Sequence, residues 1–253
     1  MRPSLFYNPL DVIERLALSS QRWRRRRKLT SSPAAQLGLG HLDSLELLEL
    51  LANRPPAVIY DIGANAGSWT CLAKSIHPAA RVIGIKPLKQ HHRAFLECSS
   101  KWEGEVQLFD CALGPRSGRA MMQVMNFSDA SSILNPTATG EREFSISATG
   151  QTEVKMCRLD DLISEHTLPA PDLLKLDVQG YELEVMRGAE GALQRANAII
   201  CEVSFESFYA GQALAVEVFA FLHERGFRIH SLGVNTPLGQ RLVQTDVLFL
   251  STS

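Results

Sequence analysis

Five cysteines are scattered over 253 residues, and no two stand in C-x-x-C spacing. An odd, widely spaced set suggests neither a zinc site nor a disulfide framework. Cys111, Cys157 and Cys201 sit in apolar or alternating runs and are expected to pack as small hydrophobes. A reducing cytoplasm is the simplest compartment for such a chain. Neither sign of charge prevails: 26 Lys and Arg against 27 Asp and Glu leave a formal net charge of -1. That argues against the broad basic field of a nucleic-acid binder. No stretch approaches the ~20 apolar residues of a membrane span, so stable membrane insertion is not expected. The N-terminus lacks the compact apolar core and small-residue cleavage site of a secretory signal. No internal repeat is visible, and the G-x-G-x-x-G of dinucleotide sites is missing.

What is present is ordinary for a globular protein, 45% hydrophobic and 21% charged residues. The length suits one α/β domain with an appendage. Residues 1–55 read as an N-terminal helical extension. "PLDVIERLALSSQRWRRRRKL" is one helix, and "HLDSLELLELLANRPP" is a second, ended by Pro55 and Pro56. Leu42, Leu45, Leu48 and Leu51 recur at helical spacing in the second and should pack on a neighbour. The run Arg24 to Lys28 reads as a solvated helix end, where cations suit the macrodipole; contact with phosphates or a membrane surface is the alternative.

From residue 57 strands and helices alternate. "AVIYDIG", "RVIGIKP", "VQLFDCAL", "PDLLKLDV" and "NAIICEVSF" are strands, with "SWTCLAKSIH", "LKQHHRAFLECSSKW", "YELEVMRGAEGALQRA" and "AVEVFAFLHERG" as helices. Nearly continuous apolar strands between amphipathic helices imply a mostly parallel sheet covered on both faces. "FRIHSLG" and "QTDVLFLS" close the chain, joined by "VNTPLGQ", too short for a parallel crossover. The last strand should therefore run antiparallel. Residues 116–158 read as an insertion whose Ser/Thr/Gly/Asn-rich loop covers the site at the sheet's edge.

Ligands of open α/β sheets bind beyond the carboxyl ends of the strands. The first strand delivers "DIGANAG", with Asp61, Gly63 and Gly67, to that edge. Glycine permits a tight turn and a close ligand, and Ser68 is a plausible cap for the helix that follows. Asp61 adds negative charge where a pyrophosphate would lie, but it suits a ligand carrying an ammonium or sulfonium group. A plain strand-to-helix turn is the alternative.

"DIGANAG", "LDDL" at 159–162, "DLLKLDVQGYELEVMRGA" at 172–189 and "EVSF" at 202–205 resemble the FkbM-type S-adenosylmethionine-dependent methyltransferases. The resemblance covers about residues 57–230, and it makes 56–253 the methyltransferase domain. It implies the class I methyltransferase fold, a Rossmann-like α/β sheet, mostly parallel with its last strand antiparallel. It also implies O-methylation of a hydroxyl on a small-molecule natural product or sugar-like acceptor. Asp61, Gly63, Asn65 and Gly67 would hold the methionine part of the cofactor S-adenosylmethionine. Asp110, after the third strand, would lie near its adenine or else be an exposed strand-end residue.

Asp177 ends one strand and Glu202 lies near the end of the next, so two carboxylates should converge, their backbones ~5 Å apart. Acids are rarely buried without partners, so apolar strands carrying one each need an explanation. Methyl transfer needs an aligned acceptor oxygen and a base to take its proton. Asp177 is the candidate base or orienting group and Glu202 its partner, since neighbouring acids can raise one pKa. The same pair could bind Mg²⁺, though two carboxylates make a thin site, or simply accept backbone N–H groups. Ser131 and Ser132 are candidate lid contacts for the cofactor or acceptor, or ordinary turn residues.

One residue departs from the family's pattern. The second strand of such folds ends in an acid that takes the ribose hydroxyls, and here Lys86 precedes Pro87. Three readings stay open: Lys86 swings to solvent on its long stem and the cofactor still binds; the protein is a catalytically weakened form; or the cation receives the 2′-phosphate of NADP in an oxidoreductase. A nucleic-acid methyltransferase is not expected, because no N-P-P-Y motif or broad basic surface is present.

Overall fold

The computed structural model describes residue 27, residues 42–238 and residues 241–252. The expected first N-terminal helix lies outside the described residues. Helix α1 (Leu42–Glu49) is the second. Leu45, Leu48 and Leu51 are buried in one cluster with Ile59, Trp69 and Leu72, so the leucine spacing finds its neighbour in the sheet and the next helix. Each fully buried leucine contributes about 1.5–3 kcal/mol.

Strands β1 (Val58–Ile62), β2 (Arg81–Ile85) and β3 (Val106–Phe109) alternate with helices α2 (Ser68–Ile76) and α3 (His92–Ser99). A smaller unit follows, built from β4 (Ala112–Leu113), β5 (Gly118–Met125) and β6 (Ala148–Cys157), with helix α4 (Ala138–Phe144) between the last two. The chain then returns to the main sheet through α5 (Leu159–Glu165), β7 (Leu173–Leu176), α6 (Glu182–Arg187), α7 (Glu190–Leu193) and β8 (Ala198–Ser204). Helix α8 (Ala215–Glu224), β9 (Phe227–Leu238) and β10 (Arg241–Ser251) complete it.

The seven-stranded sheet has the order β3-β2-β1-β7-β8-β10-β9. β1, β2, β3, β7 and β8 pair in parallel, and β10 runs antiparallel to β8 and β9, as the short closing connection required. Alternate residues face opposite layers, following the strand's period of two. Ile59, Val82 and Leu173 point to the α1–α2 side, whereas Tyr60, Ile83 and Leu174 point to the α5–α8 side. Strand order reverses between β1 and β7, so their carboxyl ends open the crevice in which such sheets bind ligands.

Four local expectations are corrected. Gly67, in the left-handed region at φ 87°, is the N-cap of α2, and Ser68 is its first helical residue. The expected single helix over 181–196 ends at Arg187 with Gly188 as its C-cap, where a Cβ would stand 2.0 Å from the carbonyl oxygen of Gly114. Most of "VNTPLGQ" is strand, since β9 extends to Leu238. Cys71 and Cys98 are joined as a disulfide between α2 and α3, with Cα atoms 6.8 Å apart. Linear spacing could not reveal that these helices lie side by side. Cys111, Cys157 and Cys201 are buried, as expected.

Candidate active site

A cavity of about 330 Å³ lies over the carboxyl ends of β1, β2 and β7. Its floor is the glycine turn. Gly63 and Ala64 both donate to the carbonyl of Ile85 at 3.1 Å, stitching the turn to the end of β2. Gly63 has φ 92°, and a Cβ on it would stand 1.8 Å from the carbonyl oxygen of Asp177. A Cβ on Gly67 would stand 3.0 Å from the ring of Phe95. Both glycines are thus demanded by protein packing, and Gly67 does not line the cavity. Gly63 and Asn65 do, the latter at a left-handed φ of 44° that asparagine tolerates.

Asp61 stands one layer behind the wall. It is fully buried, accepts from the Thr70 hydroxyl at 2.6 Å and lies 3.6 Å from the ammonium of Lys175. Its Oδ1 has no hydrogen bond among the described residues. Lys175, in the middle of apolar β7, was not foreseen as a site residue. Its ammonium also donates to Asp177 Oδ2 at 3.1 Å. Burial would depress its pKa, but the charges of Asp177 and Asp61 more than reverse that, so it stays protonated. The signal was in the sequence, since "LLKLDV" sets one cation among leucines in a buried strand.

Asp177 and Glu202 converge as expected, because Leu176 pairs with Cys201 across β7 and β8. Gln179 Nε2 bridges them, donating to Asp177 Oδ1 at 2.7 Å and to Glu202 Oε2 at 3.4 Å. Their titrations split. Burial pushes Asp177 up, yet the charge and hydrogen bond of Lys175, the Gln179 amide and the charge of Lys86 hold it below the usual aspartate range. Burial, reinforced by Asp177, Asp246 and Glu182, raises Glu202 well above the usual glutamate range. The pair does raise one pKa, but on Glu202 rather than on the candidate base. Asp177 faces the cavity, whereas Glu202 stands behind it. Among the described residues no three His, Cys, Asp or Glu side chains are grouped as a metal site.

The insertion covers the cavity as foreseen. Met122, Asp129, Ser131 and Ile133 line its upper wall. Ser132 is fully buried outside it, donating to the carbonyl of Gln179 at 2.7 Å and accepting from Leu134 N at 3.0 Å. It fastens the lid to the β7 loop, assisted by Tyr209, whose hydroxyl lies 2.8 Å from Ala130 O and 3.2 Å from Gln179 Oε1.

Lys86 and Asp110 depart most from expectation. Lys86 does not swing to solvent: it is 5% exposed and lines the cavity. Its backbone is pinned by Phe109 O and by a contact between its carbonyl and His92 Nε2, while the lid closes overhead. Its ammonium makes no hydrogen bond or ion pair among the described residues. Burial depresses its pKa, opposed by Asp177. Asp110 lies outside the cavity, in a polar groove where it pairs with Lys89 at 3.3 Å, while Cys111, Ala112 and Leu113 form the cavity wall.

The strand order, the final antiparallel pair and a ligand crevice where that order reverses define a class I methyltransferase fold. The Methyltransferase FkbM domain family matches residues 61–229, and the chain belongs to that family; it is a methyltransferase. Among curated relatives, the 2-O-methyltransferase NoeI of Sinorhizobium fredii is 30% identical over 181 residues, covering 68% of this chain and 72% of that one. The hexuronic acid methyltransferase AglP of Haloferax volcanii is 29% identical over 146 residues, 58% of this chain and 55% of that relative, so the match spans about half of its length. The 31-O-demethyl-FK506 methyltransferase FkbM of Streptomyces tacrolimicus is 26% identical over 198 residues, 70% of this chain and 74% of it. The structure of cofactor-bound Rv0187 from MTB shares the fold with a TM-score of 0.51 at 14% identity, covering 96% of this chain and 97% of that one.

Proposed function

We propose that the protein transfers a methyl group from S-adenosylmethionine to a hydroxyl of a sugar-like or other small natural-product acceptor. The observation that carries this is Asp177, an ionised carboxylate at the end of β7, facing the cavity and fixed on both oxygens by Lys175 and Gln179. The cavity suits such a cofactor in charge. Asp129 and Asp177 balance Lys86 and Lys175 along its lining, and Asp61 behind the wall adds one negative charge that favours a ligand with one net positive charge. The several negative charges of NADP find no such complement. Ile62, Ile85, Leu113 and Met122 offer apolar walls for a base.

S-adenosylmethionine, when bound, supplies a methyl group on a sulfonium sulfur, already activated for displacement. Asp177 accepts a hydrogen bond from the acceptor hydroxyl and takes its proton as the oxygen gains the methyl group. Lys175 and Gln179 keep that carboxylate in one orientation, so alignment is fixed before the acceptor arrives. Burial and the charge of Asp177 raise Glu202 well above the usual glutamate range, so it is less readily charged than the Asp177 beside it. The name of NoeI supports an oxygen acceptor, and those of AglP and FkbM support a sugar acid or natural-product acceptor. Calorimetry with S-adenosylmethionine, S-adenosylhomocysteine, NADP and NAD tests the cofactor, and S-adenosylhomocysteine release over hydroxylated sugars and polyketides tests the acceptor. Binding of NADP without S-adenosylmethionine overturns the proposal.

A further inference from the structure

The second strand of a nucleotide-binding sheet ordinarily delivers, about 20 residues after the first turn glycine, an acid that takes the ribose hydroxyls. In this chain that place holds a buried cation with no partner among the described residues, aimed into the cavity. An ammonium is a donor only and a carboxylate an acceptor only, whereas a vicinal diol offers both lone pairs and O–H groups. A cation alone therefore satisfies half of a diol, and a carboxylate must come from elsewhere.

The cavity has few acids to give. Asp177 is already assigned to the acceptor hydroxyl, and Asp61 is sealed behind the wall. Asp110 pairs with Lys89 in the other groove. Asp129, on the lid, lines the cavity itself, and Asn65 Nδ2 donates to its Oδ1. Asn65 belongs to the turn that Gly63 and Ala64 stitch to the end of β2 through Ile85 O. The asparagine thus ties the lid carboxylate to the end of the strand that bears Lys86.

Resting on the S-adenosylmethionine reading above, we propose that Asp129 supplies from the lid the carboxylate that β2 lacks, and that Asp129 and Lys86 together clamp the cofactor's ribose diol. The carboxylate accepts from the two hydroxyls while the ammonium donates to their oxygens. Asp129 and Lys86 line the same cavity, and the charge of Asp129 favours the protonated form of Lys86.

The test is calorimetry of the full chain with S-adenosylhomocysteine and its 2′,3′-dideoxy analogue. Asp129→Asn is expected to weaken S-adenosylhomocysteine by about 10- to 100-fold, the worth of a charge-assisted hydrogen bond. Against the dideoxy analogue the same variant is expected to lose little. Lys86→Glu, which sets two carboxylates at one diol, is expected to weaken binding rather than restore it. Circular dichroism of each variant verifies folding, and the exposed lid position of Asp129 makes its exchange mild. An unchanged Asp129→Asn, or one that loses equally on both ligands, overturns the clamp; so does a hydroxyl-dependent gain in Lys86→Glu. Wild-type protein that binds no S-adenosylhomocysteine overturns the cofactor reading itself, a separate outcome from a wild type that binds while Asp129→Asn does not matter.

Discussion

Lys175 and Lys86 are equally removed from water, at 6% and 5% exposure, yet they stand in opposite circumstances. Lys175 lies between Asp61 and Asp177, and its pKa is pushed up. Lys86 has no partner among the described residues, and burial pulls its pKa down. A buried charge is costly unless paired. Lys175 belongs to the fold's own internal ion network, completed before any ligand arrives. Lys86 is a cost that folding alone does not recover, so its partner is sought in a ligand.

Removing Lys175 tests the first half most severely. Lys175→Met leaves Asp61 and Asp177 without their counter-ion and should destabilise the fold by about 3–5 kcal/mol, the loss seen when one member of a buried pair is deleted. Urea unfolding followed by fluorescence measures it. Adding Asp61→Asn should recover part of the loss, because one of the stranded charges disappears. Full stability in the single variant would make Lys175 as free as Lys86.

Asp177→Asn keeps the shape of the network and removes its charge. Turnover on the true acceptor should fall by ~10²–10⁴, the usual worth of a positioned base, with cofactor affinity largely kept. In the wild type Asp177 is held below the usual aspartate range. The acid limb of the rate profile should therefore lie lower than an ordinary aspartate would place it. A limb near neutral pH would assign the base to another group.

The contrast between the lysines also shows what the sequence could convey. Strand identity, sheet type and the antiparallel finish were legible, because apolar runs and connection lengths are local properties that the sheet obeys. The convergence of Asp177 and Glu202 followed from strand adjacency. Lys175 was legible but overlooked. The direction of Lys86 was not legible, because a lysine stem can turn either way and only the folded insertion, lying over the end of β2, decides. Asp110 misled for a similar reason: the chain turns at Cys111, so the three residues after the aspartate face the cavity instead. The disulfide and the break at Gly188 depend on which backbones touch, which spacing does not encode.

Acids near the network but without a cation should behave differently. Glu182 is buried and accepts from the backbone N–H groups of Val178 and Gly180 at 3.0 and 3.1 Å. Burial nevertheless raises its pKa from 4.5 to about 7. Between those values the folded state holds a proton that the unfolded state has released, so stability falls as pH rises through that window. At ~1.4 kcal/mol per unit the whole effect is at most a few kcal/mol. Glu182→Gln should flatten the melting temperature between pH 5 and 8. A wild type whose stability climbs with pH over that range would mean the two backbone donors outweigh burial.

The smallest effect is expected at Lys86, and its sign matters more than its size. Lys86→Met replaces an unpaired ammonium by an apolar chain of similar reach, and Ile85, Met122 and Ile133 line the same cavity. The ligand-free protein should gain about 0.5–2 kcal/mol, the range typical of substitutions that relieve a functional site. The sign with pH follows from the depressed pKa of Lys86. Below that value both folded and unfolded chains carry the proton and the folded one bears the full cost. Between it and the ordinary lysine value the folded chain binds fewer protons, so wild-type stability rises with pH. The advantage of Lys86→Met should therefore be greatest below that depressed pKa and shrink as pH rises from it toward the ordinary lysine value in thermal unfolding. S-adenosylhomocysteine should stabilise the variant less than the wild type, because the ammonium's bonds to the ligand are gone. If Lys86→Met instead unfolds the protein as Lys175→Met does, the two cations play one role and the cavity's end was never left open for a ligand.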